Sequence, residues 1–150
     1  DYEVRRDLLP DATAEAPPGI STDAAGVSKM WMILRLLHFR RTYPELFAPG
    51  STYEPLSAEG PRADRVFAFA RSAPSAQGAA GGAGERVVVV VPRVSGAGAG
   101  TDPDWEGTTL ELPRSPHEWA DLLGPRCHAS GRVPVSDMLN SFPVAVLVPR

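Results

Sequence analysis

The stretch Lys29-Met-Trp-Met-Ile-Leu-Arg-Leu-Leu-His-Phe-Arg-Arg-Thr-Tyr-Pro-Glu-Leu-Phe47 constrains this chain most. It reads as a helix from about Ser28 to Tyr43 with a hard stop. Met30, Ile33, Leu34 and Leu37 recur at i, i+3, i+4 and i+7, which predicts one apolar stripe. Arg35, His38 and Thr42 fall on another side. Arg40 and Arg41 occupy the last turns, where cations suit the negative end of the helix dipole. Pro44 ends the helix, because proline lacks the N–H and disfavours helix in the residue before it. Thr22 and Ser28 are the candidate caps. With Trp31 included, the helix is apolar around more than half its circumference and needs covering on more than one side. A chain of 150 residues with one such helix is poorly equipped to cover it. That mismatch predicts a piece of a longer protein, as does an opening Asp1-Tyr2-Glu3 that is not an initiator start.

Other elements follow from texture. Residues 1–9 predict a short helix carrying Val4, Leu8 and Leu9, and residues 10–22, by their proline and glycine content, a loop. Tyr53–Leu56 is a short extended segment. Arg65–Arg71 alternates as a strand with Phe67 and Phe69 on one face. Residues 72–84 are Ala/Gly/Ser with Pro74, a flexible connection without core-forming side chains. Glu85–Pro92 contains five consecutive valines, Val87 to Val91. β-Branched residues on both faces predict a central strand with all five buried. Residues 95–104 form another loose loop. Thr108–Pro113 alternates as a half-buried strand, Glu118–Leu123 favours a strand, Ser136–Phe142 one or two helical turns, and Pro143–Val148 a closing strand. A helix followed by strands joined through turns predicts an antiparallel α+β assembly, mainly β: N-terminal helices, then a small β-sandwich.

Charge and cysteine usage narrow the function classes. A net charge of −3 lacks the basic balance of a nucleic-acid binder. No apolar run is long enough to span a bilayer, and no charged-then-apolar leader is present. Cys127 alone excludes an internal disulfide and fits a reducing compartment, so a cytoplasmic location is expected. Lys29 is the sole lysine among many arginines, alanines and glycines, the mark of a GC-rich coding sequence.

Candidate chemistry is thin. Val87–Val91 followed by Gly96, Gly98 and Gly100 superficially resembles a dinucleotide-binding turn, but those glycines should open a helix and Thr101-Asp-Pro-Asp-Trp-Glu-Gly107 follows instead. The glycines of 78–84 precede a strand rather than follow one. His38, His117 and His128 are too scattered for a zinc site, and adjacent Cys127 and His128 cannot readily ligate one ion. They read as surface or partly buried histidines, and Cys127 as a half-buried filler. Asp102, Asp104 and Glu106 form an acidic loop lacking the glycine and distal glutamate of a calcium loop. Trp31 and Trp119 read as core. Trp105, in a loop, is the one tryptophan that could serve as a ligand platform. No catalytic, metal or cofactor-binding residue is assigned.

Five landmarks carry a resemblance. Asp1-Tyr2 with Arg5-Arg6 and Leu8-Leu9 is the first. Lys29-x-Trp31, Arg35, Arg40-Arg41 and Pro44-Glu-Leu-Phe47 are the second. Tyr53-x-Pro55-Leu56, Gly60, Ala63-Asp64 and Phe67-Ala-Phe69-Ala-Arg71 are the third. Val88–Val91 with Pro92-Arg93 is the fourth, and Phe142-Pro-Val-Ala-Val-Leu147 the fifth. In this order and spacing the chain resembles the C-terminal end of the maltooligosyl trehalose synthase family, within the α-amylase superfamily (glycoside hydrolase family 13). It departs in the insert at 73–84 and the Gly96–Gly100 loop, both between strands.

The resemblance implies that residues 1–47 close a catalytic (β/α)₈ barrel and 48–150 form a C-terminal β-sandwich that packs on it. It implies a bacterial parent enzyme, an isomerase of trehalose biosynthesis. That enzyme converts the reducing-end α-1,4 linkage of a maltooligosaccharide to α,α-1,1 by intramolecular transglucosylation. Its carboxylates would stand at barrel strand ends upstream of Asp1, leaving this stretch structural and inactive alone. The alternative is a stand-alone carbohydrate-binding or interaction module gripping a polysaccharide through exposed aromatics such as Trp105 and Tyr53.

Overall fold

A computed structural model of the chain describes residues 26–74, 85–93 and 105–150. The expectations for residues 1–9, 10–22 and 95–104, and for Thr22, lie outside the described residues. The chain divides between Thr42 and Tyr43 into two compact units.

In the first unit, helix α1 (Val27–Thr42) places Arg40 and Arg41 in its last turn. Its first α-helical bond runs from Met30 N to Gly26 O at 3.1 Å. Ser28 therefore lies inside the helix rather than capping it. Trp31 is buried, as its place in the apolar stretch predicts. The buried side chains are Ser28, Trp31 and Phe39, spaced i, i+3, i+11, with the Arg35 guanidinium 5.1 Å from the Trp31 ring centre. The Met30–Ile33–Leu34–Leu37 stripe is instead the open side: Ile33 is 42 % and Leu37 59 % exposed. A helix apolar nearly all round offers two stripes, and periodicity alone does not choose between them.

The second unit (Tyr43–Arg150) begins with the 3₁₀ turn Pro44–Phe47, so Pro44 does end the helix. Nine strands follow among the described residues: β1 (Thr52–Leu56), β2 (Ala58–Glu59), β3 (Val66–Ser72), β4 (Arg86–Pro92), β5 (Thr109–Leu112), β6 (Trp119–Asp121), β7 (Cys127–His128), β8 (Gly131–Pro134) and β9 (Ala145–Pro149). A single helical turn, α2 (Val135–Met138), lies between β8 and β9. The strands form a six-stranded sheet in the order β1-β3-β4-β9-β6-β7 and a three-stranded sheet in the order β2-β5-β8. Every pairing is antiparallel.

The two sheets enclose one core. Ala68, Ala70, Val88, Val90, Ala145, Leu147 and Trp119 from the larger sheet meet Leu110, Leu112 and Val133 from the smaller, with Val135 and Met138 of α2. Register explains the inner face: Val88 pairs with Ala70 and Leu147, Val90 with Ala68 and Ala145. Small alanines beside branched residues let the layers approach. β4 is thus the central strand its five valines predict. Only three of them are buried, however: Val87, Val88 and Val90. Val89 and Val91 are half-buried, because they lie on the opposite face beside Phe69 and Phe67.

Trp105 is 7 % exposed and belongs to this core, so it is no ligand platform. The cause is a tight turn. Glu106 and Gly107 both have positive φ, 45° and 73°, and Thr108 N donates to Trp105 O at 2.7 Å. That backbone reversal folds the indole inward. Ser72, which ends β3, and Ala73, which follows it, are buried, although composition assigns both to a connection.

Candidate interaction face

Besides the open side of α1, the outer face of the larger sheet carries exposed apolar surface among the described residues. Alternation along β3 sends Ala68 and Ala70 to the core and Phe67, Phe69 and Arg71 outward. Across β1, Tyr53 pairs with Arg71 and Pro55 with Phe69; across β4, Phe67 pairs with Val91 and Phe69 with Val89. Phe67 is 48 % and Tyr53 51 % exposed. The Tyr53 and Phe69 rings stack at 4.9 Å with 30° between planes, and Phe67 tilts against Phe69 at 5.9 Å. Such pairs add about 0.5–1.5 kcal/mol beyond area burial. Their stacking also spends ring faces on each other, faces a pyranose would need.

Arg71 closes one end of this face. Its Nε donates to Leu46 O at 2.5 Å, an NH2 nitrogen donates to Ser51 Oγ at 2.9 Å, and the guanidinium lies 5.5 Å from the Phe47 ring centre. Leu46 is fully buried.

The residues weighed in sequence for chemistry are dispersed. His38, on α1, and His117 are exposed, whereas His128 is buried, more so than the surface or partly buried reading had it. Cys127 is exposed rather than a half-buried filler. Strand alternation accounts for both: neighbours in β7 face opposite ways, and only one side of the sheet edge is covered. Glu106 pairs with Arg62 rather than with a cation site. Asp102 and Asp104, like Asp1, Tyr2 and both glycine runs, lie outside the described residues. Among the described residues, no three His, Cys, Asp or Glu side chains gather as a metal site. No helix among them is long and apolar enough to cross a membrane.

Among the described residues, Asp121 and His128 have displaced proton affinities. Burial pushes the Asp121 carboxyl above the usual aspartate range, and hydrogen bonds from Leu123 N (3.0 Å) and Val146 N (3.2 Å) to its Oδ1 oppose the shift. Asp121 therefore ties the end of β6 to β9. Sequence reasoning passed over it because its partners are backbone groups, one of them distant in the chain. His128 titrates below the ordinary imidazole value. Burial is the main cause, nearby Asp137 opposes it, and Arg126 adds to it.

Among the described residues, the fold is a helix followed by an antiparallel β-sandwich with an apolar outer sheet face, and the chemistry-bearing side chains are dispersed. No family model matches the chain. Two curated relatives from Mycobacterium tuberculosis, strains CDC 1551 and H37Rv, each described as a putative maltooligosyl trehalose synthase, are 34 % identical over 120 residues. The match takes in 80 % of this chain and 13 % of theirs, so the chain spans about an eighth of the relatives' length. The maltooligosyltrehalose synthase of Arthrobacter ramosus and its S44P mutant superpose on all of this chain and 17 % of their own, with TM-score 0.71 and 24 % identity. The chain is similar in sequence to maltooligosyl trehalose synthases and shares the fold of their C-terminal region.

Proposed function

We propose that this chain is the C-terminal part of a bacterial, cytoplasmic isomerase of glycoside hydrolase family 13. That enzyme rebuilds the reducing-end α-1,4 linkage of maltooligosaccharides as α,α-1,1 for trehalose biosynthesis. The observation that carries the reading is the match itself: four-fifths of this chain, but only about an eighth of each relative. Residues 1–47 then complete the catalytic barrel and 48–150 form the sandwich packed on it. Such chemistry with retained configuration needs a nucleophilic carboxylate and a carboxylic acid roughly 5 Å apart, shielded from water. Those groups belong to the preceding part of the enzyme. The role of the sandwich is mechanical support, and its outer face, with Tyr53 and Phe67 half-open, suits packing against protein.

A second reading, a stand-alone carbohydrate-binding module, draws on the same exposed Tyr53 and Phe67. Ring stacking within the Tyr53–Phe69 pair weighs against it. Incubating the chain alone with maltopentaose tests the first reading. The expected result is neither trehalose-ended product nor glucose above a buffer control; either product would overturn it. Saturable binding of maltoheptaose that Tyr53→Ala abolishes would favour the module.

A further inference from the structure

We propose that Arg71 is a positioning residue: a clamp that makes the entry segment 44–51 a rigid part of the sandwich, fixing the path by which the chain reaches β1. The inference is independent of the catalytic assignment. Segments joining a helix to a sandwich are ordinarily mobile surface loops. Three local backbone bonds shape this one: Leu46 N to Tyr43 O at 3.3 Å, Ala48 N to Glu45 O at 3.3 Å and Ser51 N to Ala48 O at 3.1 Å. Beside the packing of the fully buried Leu46, Arg71 links it to the sheet through three successive parts: the Leu46 carbonyl, the Phe47 ring and the Ser51 hydroxyl.

The chemistry needs arginine. A planar guanidinium presents several N–H donors in one rigid fork and a face to an aromatic ring, whereas a lysine ammonium is a point charge on a flexible stem. The placement needs β3. Arg71 is paired on both sides, with Tyr53 of β1 and Val87 of β4, so its Cα is held in a three-strand ladder. Gly50, with φ +89°, supplies the turn that returns the segment to β1, and a Cβ there would lie 3.6 Å from Pro74 Cγ.

Amide hydrogen exchange on the whole chain tests the clamp, comparing wild type with Arg71→Lys and Ser51→Ala. The clamp predicts roughly tenfold faster exchange at Leu46, Ala48 and Ser51 in Arg71→Lys, with the amides of β4 and β9 unchanged within about twofold. Ser51→Ala, which leaves β3 intact, should speed the same amides to a lesser degree, and it decides the matter if Arg71→Lys fails to fold. Unchanged exchange across 44–51, or acceleration spread evenly over the sandwich, would overturn the proposal. So would full rescue of protection by lysine.

Discussion

Gly60 and Thr108 pack backbone against backbone: a Cβ built on Gly60 would stand 2.8 Å from Thr108 Cα and 3.2 Å from its Oγ1. Thr108 is fully buried and spends every polar group. Its N–H donates to Trp105 O at 2.7 Å, its carbonyl accepts from Val135 N at 2.9 Å, and its Oγ1 accepts from Arg62 N at 3.0 Å. This junction joins the turn before β5, the start of α2 and the loop after β2. Gly60 also has φ +123°, a region side chains avoid. Gly60→Ala is expected to cost about 2–4 kcal/mol, through strain and a clash with backbone that cannot swing away. Thermal unfolding followed by circular dichroism checks this, and an unchanged midpoint would mean the junction yields.

The two faces of β4 should respond unequally to charge. Val88 is fully buried between the sheets, whereas Val89 is half-open on the outer face. Val88→Asp places an unpaired carboxylate in the core, at a cost of several kcal/mol, enough to unfold the sandwich. Val89→Asp keeps partial access to water and should cost about 1–2 kcal/mol. Equal losses in chemical denaturation would contradict the assignment of the faces.

Much of this fold was legible because some residues carry a single structural meaning. Five consecutive valines mark an interior strand, and β4 lies inside the larger sheet, although its outer face, with Val89 and Val91 half-buried, is not fully covered as the valine run predicts. Pro44 marks the end of α1. Alternation in Arg65–Arg71 placed Phe67 and Phe69 on one face, which became the candidate interaction face. Other signals were local and were overridden by tertiary packing. Trp105 sits among Asp, Gly and Glu, which read as loop, yet one tight turn carries it into the core. β7 and β8 are too short for a periodic pattern, and β8 contains Gly131 and Pro134, so pairing to their neighbours makes them strands. On α1 the apolar residues encircle the axis, so the helix could be recognised while its buried side could not. The candidate face itself required register, because Tyr53 meets Phe69 only through the pairing of β1 with β3.

His128 makes stability depend on acid. In the unfolded chain its imidazole takes a proton near the ordinary value of 6.5, while burial holds the folded group neutral to lower pH. Between those two points the unfolded state binds more protons, so stability falls as pH drops below about 6.5 and levels off under the folded value. Asp121 acts in the opposite sense. Its raised affinity lets the folded state bind more protons just above 3.8, so its own contribution improves as pH falls through that window. His128→Gln is expected to flatten the pH dependence of the urea-denaturation midpoint just below about pH 6.5 and leave the more acidic limb in place. An unchanged slope in that range would assign the acid sensitivity elsewhere.

The central claim, that these residues finish an enzyme that moves a glucosidic linkage, is tested most directly on the longer protein that carries them. Incubated with maltopentaose, that protein should remove reducing ends without releasing glucose in proportion, since the linkage is isomerised rather than hydrolysed. Persistence of all reducing ends, or their increase through hydrolysis, would contradict the account.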